Sequence, residues 1–167
     1  VIYEVRVSDD ENGVASSKVT HSMLNAYEIS KEALHQQALE NMKKDGYEMA
    51  DLLYQMFGQF MDEDSEEQED VSLEAGKMYV LSNRSKRHGA ACLLYEDFLK
   101  ENLGDTTAFI IPSSIHETLF VPMADGMTAE AFNQMICQVN EAEVKASERL
   151  SNHCYLWDGK EQKVKMV

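Results

Sequence analysis

Six consecutive residues, Pro112-Ser113-Ser114-Ile115-His116-Glu117, carry two hydroxyls, an imidazole and a carboxylate, which is the inventory for an activated serine nucleophile. Spacing weighs against that use. Ser114 and His116 are two residues apart, so an extended chain sets them on one face at ~6.6 Å, and the short linkage makes an in-line hydrogen bond awkward. The simpler expectation is that Ser113 and Ser114 satisfy the backbone left unpaired beside Pro112, while His116 anchors the turn. Ser113, Ser114, His116 and Glu117 are nevertheless the catalytic candidates, and a hydrolase using Ser113 or Ser114 with His116 is the second functional reading.

Other chemistries fail on spacing. His116-Glu117-Thr118-Leu119-Phe120 opens like the zinc-protease helix motif, but Phe120 stands where the second histidine is needed. His88 and Cys92 on one extended strand would lie ~13 Å apart, too far to share an ion. The three cysteines, Cys92, Cys137 and Cys154, contain no Cys-x-x-Cys spacing and read as reduced thiols, with Cys92 a core filler. Ser8, Asp10, Asn12 and Gly13 imitate the start of a calcium loop, but Val19 occupies the closing carboxylate position; the acid stretch from Asp62 fails the same test at Leu73. Phosphate-cradling loops need closely spaced glycines, and the nearest two here are Gly46 and Gly58. No metal or cofactor is expected.

Two surfaces suit binding rather than catalysis. Arg84, Lys86, Arg87 and His88 form the basic cluster, expected as a hairpin tip or as a contact for an acidic partner. Met49, Met56, Phe57, Phe60 and Met61 line one face of a helix expected over 47–61, a pattern typical of core and also of adaptable, methionine-rich docking faces. The binding candidates are Met49, Met56, Phe57, Phe60, Arg84 and Arg87.

The elements that must position these residues follow from local pattern. The chain has 167 residues, 44% hydrophobic and 27% charged, with a formal charge of −15. That is a globular composition large enough for a core. Seven of the acids fall in residues 62–70, leaving −8 elsewhere; such a run is expected as a solvated, mobile loop. The acidity disfavours nucleic acid, which binds through neutralising cations, although duplex contact through Arg84 to His88 is a third reading. No apolar stretch reaches the ~18 residues of a membrane span, and no leader pattern opens the chain.

Strands are expected at Ile2–Val7 and Ala15–Leu24 about the Asn12-Gly13 turn, at 78–81, at 90–94, at 109–111, at 118–121, at 154–157 and weakly at 164–167. Helices are expected from Lys31, capped by Ser30, from Tyr95 to a stop at Gly104, and after Thr128, where Phe132, Met135, Ile136 and Val139 recur at helical spacing. The fold class is α+β, an antiparallel sheet with helices packed mainly on one face. Three parts are expected: 1–61, the acidic loop 62–70, and 71–167.

The stretches Met78-Tyr79-Val80-Leu81-Ser82-Asn83, Gly89 to Tyr95, Ile111 to Glu117, Val139-Asn140-Glu141 and Leu150 to Tyr155 resemble the bacterial family catalogued as domain of unknown function 5688, and the likeness runs through nearly the whole chain. It implies a bacterial, cytoplasmic setting and a longer parent protein; a longer parent is also expected from the start at Val1 within an apparent strand. It implies no activity. The expected function is a non-catalytic protein-interaction or scaffold domain. Its partner would be another protein or the N-terminal half of the same chain, and a homo-oligomer is also open.

Overall fold

The computed structural model describes residues 2–10, 13–57 and 72–167. The acid run 62–70, Phe60 and Met61 lie outside them. The chain divides into two compact units, Val1–Lys44 and Asp45–Val167.

In the first unit, β1 (Glu4–Asp10) pairs antiparallel with β2 (Gly13–Lys18), with a register shift between Arg6 and Ser8. The second strand is shorter than its pattern suggests. Thr20 ends it by capping α1 (His21–Ala26), its hydroxyl accepting the Met23 N–H at 3.3 Å. Ser30 does the same for α2 (Lys31–Asp45), accepting from Ala33 N–H at 3.0 Å. Gly46, at φ 74°, follows the last turn of α2 in a conformation that favours glycine. The Tyr3 hydroxyl meets His35 Nδ1 at 2.8 Å, joining hairpin to helix. None of this unit's described residues is buried.

The second unit is an α+β fold on a six-stranded, wholly antiparallel sheet in the order β3-β4-β6-β5-β7-β8. Its strands are β3 (Tyr47–Asp51), β4 (Tyr79–Asn83), β5 (Ala108–Ile111), β6 (Thr118–Pro122), β7 (Tyr155–Asp158) and β8 (Lys163–Met166). Alternate residues face opposite sides. Tyr79, Leu81, Ile110, Phe120 and Trp157 pack on one face with Leu99 and Leu103 of α4 (Glu96–Leu103) and with Cys92. Phe109, Ile111 and Val121 pack on the other with Ile136 of α5 (Ala129–Ala142). Helical cover is thus shared, with α4 on the first face and α5 on the other. Trp157 is 1% exposed and its indole N–H donates to the Gly104 carbonyl at 3.1 Å. A buried side chain of this size contributes roughly 1.5–3 kcal/mol from apolar area.

Two expected elements differ. The single helix expected from Tyr47 is a strand followed by a short helix, α3 (Leu52–Phe57). The strand edge at β4 supplies ladder partners, and period-two placement sends Tyr47 and Met49 toward the buried cluster of the first face. Asp51 then caps α3, accepting from Leu53 N–H at 2.8 Å and Tyr54 N–H at 3.2 Å. The strand expected at 90–94 is a 3₁₀ segment, Gly89–Leu94, which buries Ala90 and Cys92. No helix among the described residues is long and apolar enough to cross a membrane.

Candidate functional site

The Pro112–Glu117 loop joins β5 to β6, and its polar groups are bonded mostly within the loop itself. Ser113 Oγ donates to Glu117 Oε1 at 3.3 Å, while Ser114 Oγ accepts the His116 main-chain N–H at 3.0 Å. Ser114 N–H donates to the Glu117 carbonyl at 3.3 Å. The Ser114 Oγ contact is the local hydroxyl-to-backbone bond that short polar side chains favour in turns.

The imidazole of His116 turns elsewhere. The main-chain N–H of His88 donates to His116 Nδ1 at 3.3 Å, and the two rings stack with centroids 5.5 Å apart. The same two loops are joined by Ser82 Oγ donating to the His116 carbonyl at 2.8 Å and by Ala90 N–H donating to the Ile115 carbonyl at 3.3 Å. Gly89 permits this approach: a Cβ there would collide with Ser82 Oγ, the His116 carbonyl oxygen and the Asn83 nitrogen. His88 itself sits at φ 55°, the left-handed region.

This arrangement has a chemical consequence. A neutral histidine that accepts at Nδ1 carries its proton on Nε2, so in this bonding pattern the free lone pair of His116 is directed at the His88 N–H and not at a serine. The structure brings Ser113 to Glu117 and His116 to His88; among the described residues it pairs neither hydroxyl with the imidazole. The His88 partnership was not legible in sequence, since 28 residues separate the pair and only the unusual glycine after His88 marks a close approach.

The basic residues lie on the neighbouring turn. Asn83 braces it, donating through Nδ2 to Asp45 Oδ2 and to the Arg87 carbonyl, both at 2.8 Å, and accepting Arg87 N–H at 2.9 Å. Arg84 Nε stands 3.5 Å from Glu48 Oε1. Arg84 and Arg87 are both exposed.

Of the apolar binding candidates, Met49 packs against the buried cluster, whereas Met56 and Phe57 on α3 are 55% and 50% exposed, beside exposed Leu53 and Tyr54. Phe60 is outside the described residues.

Two small cavities accompany the sheet. One of about 170 Å³ lies among β3, β4 and α3, lined by Glu48, Ala50, Tyr54, Val80, Ser82 and Lys86 among others. The other, about 150 Å³, lies under α5 and includes Ile111, Ser113, Leu119, Ile136 and Asn140. Ser113 reaches the second, but neither cavity is lined by His116 or Glu117.

The two buried thiols are poor nucleophiles. Burial pushes Cys92 up to about 12 and raises Cys154 as well, and the thiolate is the reactive form. No group of three or more metal-ligating side chains is found among the described residues.

A family model described as "Family of unknown function (DUF5688)" matches residues 1–159, and the chain belongs to that family. Neither a curated protein nor a solved structure matches it.

Proposed function

We propose that this member of the DUF5688 family is a non-catalytic domain that acts through protein contacts. The observation that carries the reading is the exposed apolar row Leu53, Tyr54, Met56 and Phe57 on α3. Contiguous exposed apolar surface marks interaction sites, and methionine adapts to the shape of a partner. The exposed Arg84 and Arg87 suit acidic groups at the rim of such a contact. The engagement of His116 Nδ1 and the protonated state of the buried thiols support a role without chemistry. In this reading the protein works in the bacterial cytoplasm, where its free thiols stay reduced.

Photo-crosslinking from position 53 of the full chain in cell extract tests the reading, alongside a panel of generic esters and phosphoesters. The expected result is a discrete protein adduct that disappears when Met56 and Phe57 are both replaced by aspartate, with no turnover of any ester. Turnover that His116→Ala abolishes would overturn it in favour of a serine hydrolase.

A further inference from the structure

The cavity of about 170 Å³ beside α3 bears on what kind of segment a protein contact there would take, an inference that rests on the interaction role proposed above. The cross-strand pairs Glu48–Ser82 and Ala50–Val80 set these four residues on one face of the sheet, and Tyr54 of α3 adds a wall. The floor suits an apolar occupant. Ala50 and Val80 are apolar, the Ser82 hydroxyl donates to the His116 carbonyl at 2.8 Å, and the Asn83 amide is bonded to Asp45 and to both main-chain groups of Arg87. Polar groups already satisfied in this way gain little from a polar visitor. Volume sets the size of that occupant. Pockets for free small molecules run to roughly 300–1,000 Å³, whereas a cavity of roughly 150 Å³ accepts a single benzene ring. The space therefore suits one phenylalanine or leucine side chain.

Charge at the mouth sets what flanks that side chain. Glu48 is matched by Arg84 at 3.5 Å. Lys86 lines the same cavity and Arg87 follows it on the turn; both are exposed, and among the described residues neither cationic head has an ion-pair partner. Lys86 N–H donates to the Asn83 carbonyl at 2.9 Å and Lys86 takes φ 51°, so the turn fixes the root of its side chain before a partner arrives. The formal charge of −15 opposes an acidic visitor at long range, but salt screens charges beyond ~8 Å at physiological strength, and the cations at the mouth decide the contact. We propose that the cavity seats one apolar side chain from an acidic segment of a partner protein, with the carboxylates beside that side chain lying on Lys86 and Arg87.

Fluorescence anisotropy of the full chain with the labelled peptide Glu-Glu-Phe-Glu-Glu tests the proposal. Saturable binding below about 1 mM is expected. Replacing the peptide's phenylalanine by alanine should weaken it about tenfold or more, as truncation of a buried anchor does. Lys86→Glu should weaken it by a similar factor and should favour Lys-Lys-Phe-Lys-Lys instead, a reversal that misfolding cannot produce. Ala50→Phe, which fills the cavity, should abolish binding. No binding up to about 1 mM, equal affinity for the phenylalanine and alanine peptides, unchanged preference in Lys86→Glu, or binding that survives Ala50→Phe each overturns the proposal. Met56 and Phe57 do not line this cavity, so the two experiments fail separately: a position-53 adduct without peptide binding sinks only the acidic-segment proposal, and peptide binding without any adduct sinks only the contact through the α3 row.

Discussion

The two units of this chain are held together by different physics. Asp45–Val167 buries apolar side chains on both faces of its sheet, with Trp157, Tyr79 and Phe120 almost wholly removed from water. Val1–Lys44 buries nothing among its described residues and relies on a hairpin ladder, two capped helices and the Tyr3–His35 contact. Hydrophobic burial supplies most folding free energy, whereas caps and single hydrogen bonds contribute about 1 kcal/mol each. The contrast teaches that the second unit is stabilised by its core, and the first by main-chain, capping and single side-chain bonds.

The largest test of this contrast is Trp157→Ala. Removing the centre of the first-face cluster should cost about 3–5 kcal/mol, seen as a lower denaturant midpoint for the second unit. Gly89→Ala comes next. Its Cβ meets main-chain atoms that cannot swing aside, and the forced shift should cost about 1–3 kcal/mol. It should also break the His88–His116 stack, read as changed imidazole resonances in NMR. Ser30→Ala should cost about 1 kcal/mol of α2 stability. Faster amide exchange confined to α2, with the second unit's transition unmoved, would sharpen the division; a shift of both would break it.

The smallest effect is a pH dependence. The Asp158 carboxyl is held down to about 2, chiefly by its 2.7 Å hydrogen bond from Lys165 and then by the Glu161 and Lys160 N–H groups. A depressed carboxyl stabilises the folded state above its ordinary range and loses that contribution as pH falls from about 4 toward 2. The β7–β8 hairpin should loosen in that window, and Asp158→Asn should remove this acid limb from a pH titration of amide exchange.

Much of the architecture was legible because its causes are local. Thr128 and Ser30 bond N–H groups three residues on, and Gly104 takes φ 48° immediately after Leu103, so a short window contains the whole argument for each helix end. The stripe through Phe132 and Ile136 likewise declared α5. The rest depended on distant partners. Tyr47 to Phe57 fits both periods, and only the β4 edge decides for a strand over its first half. Residues 90–94 are apolar enough for a strand, but Gly89 is drawn against Ser82 and His116, and the 3₁₀ turn follows. At the candidate site the roster of polar residues was readable. Their pairing was not, since Ser113 meets Glu117 within the loop while His116 reaches back across 28 residues.

The two sealed cysteines carry a practical consequence. Cys92 belongs to the cluster on one face of the sheet and Cys154 to the cluster on the other, and both are fully buried. A thiol-reactive label can reach either only when its own face opens. The protein thus contains two built-in clocks, and the ratio of their labelling rates reports whether the faces come apart together or one before the other.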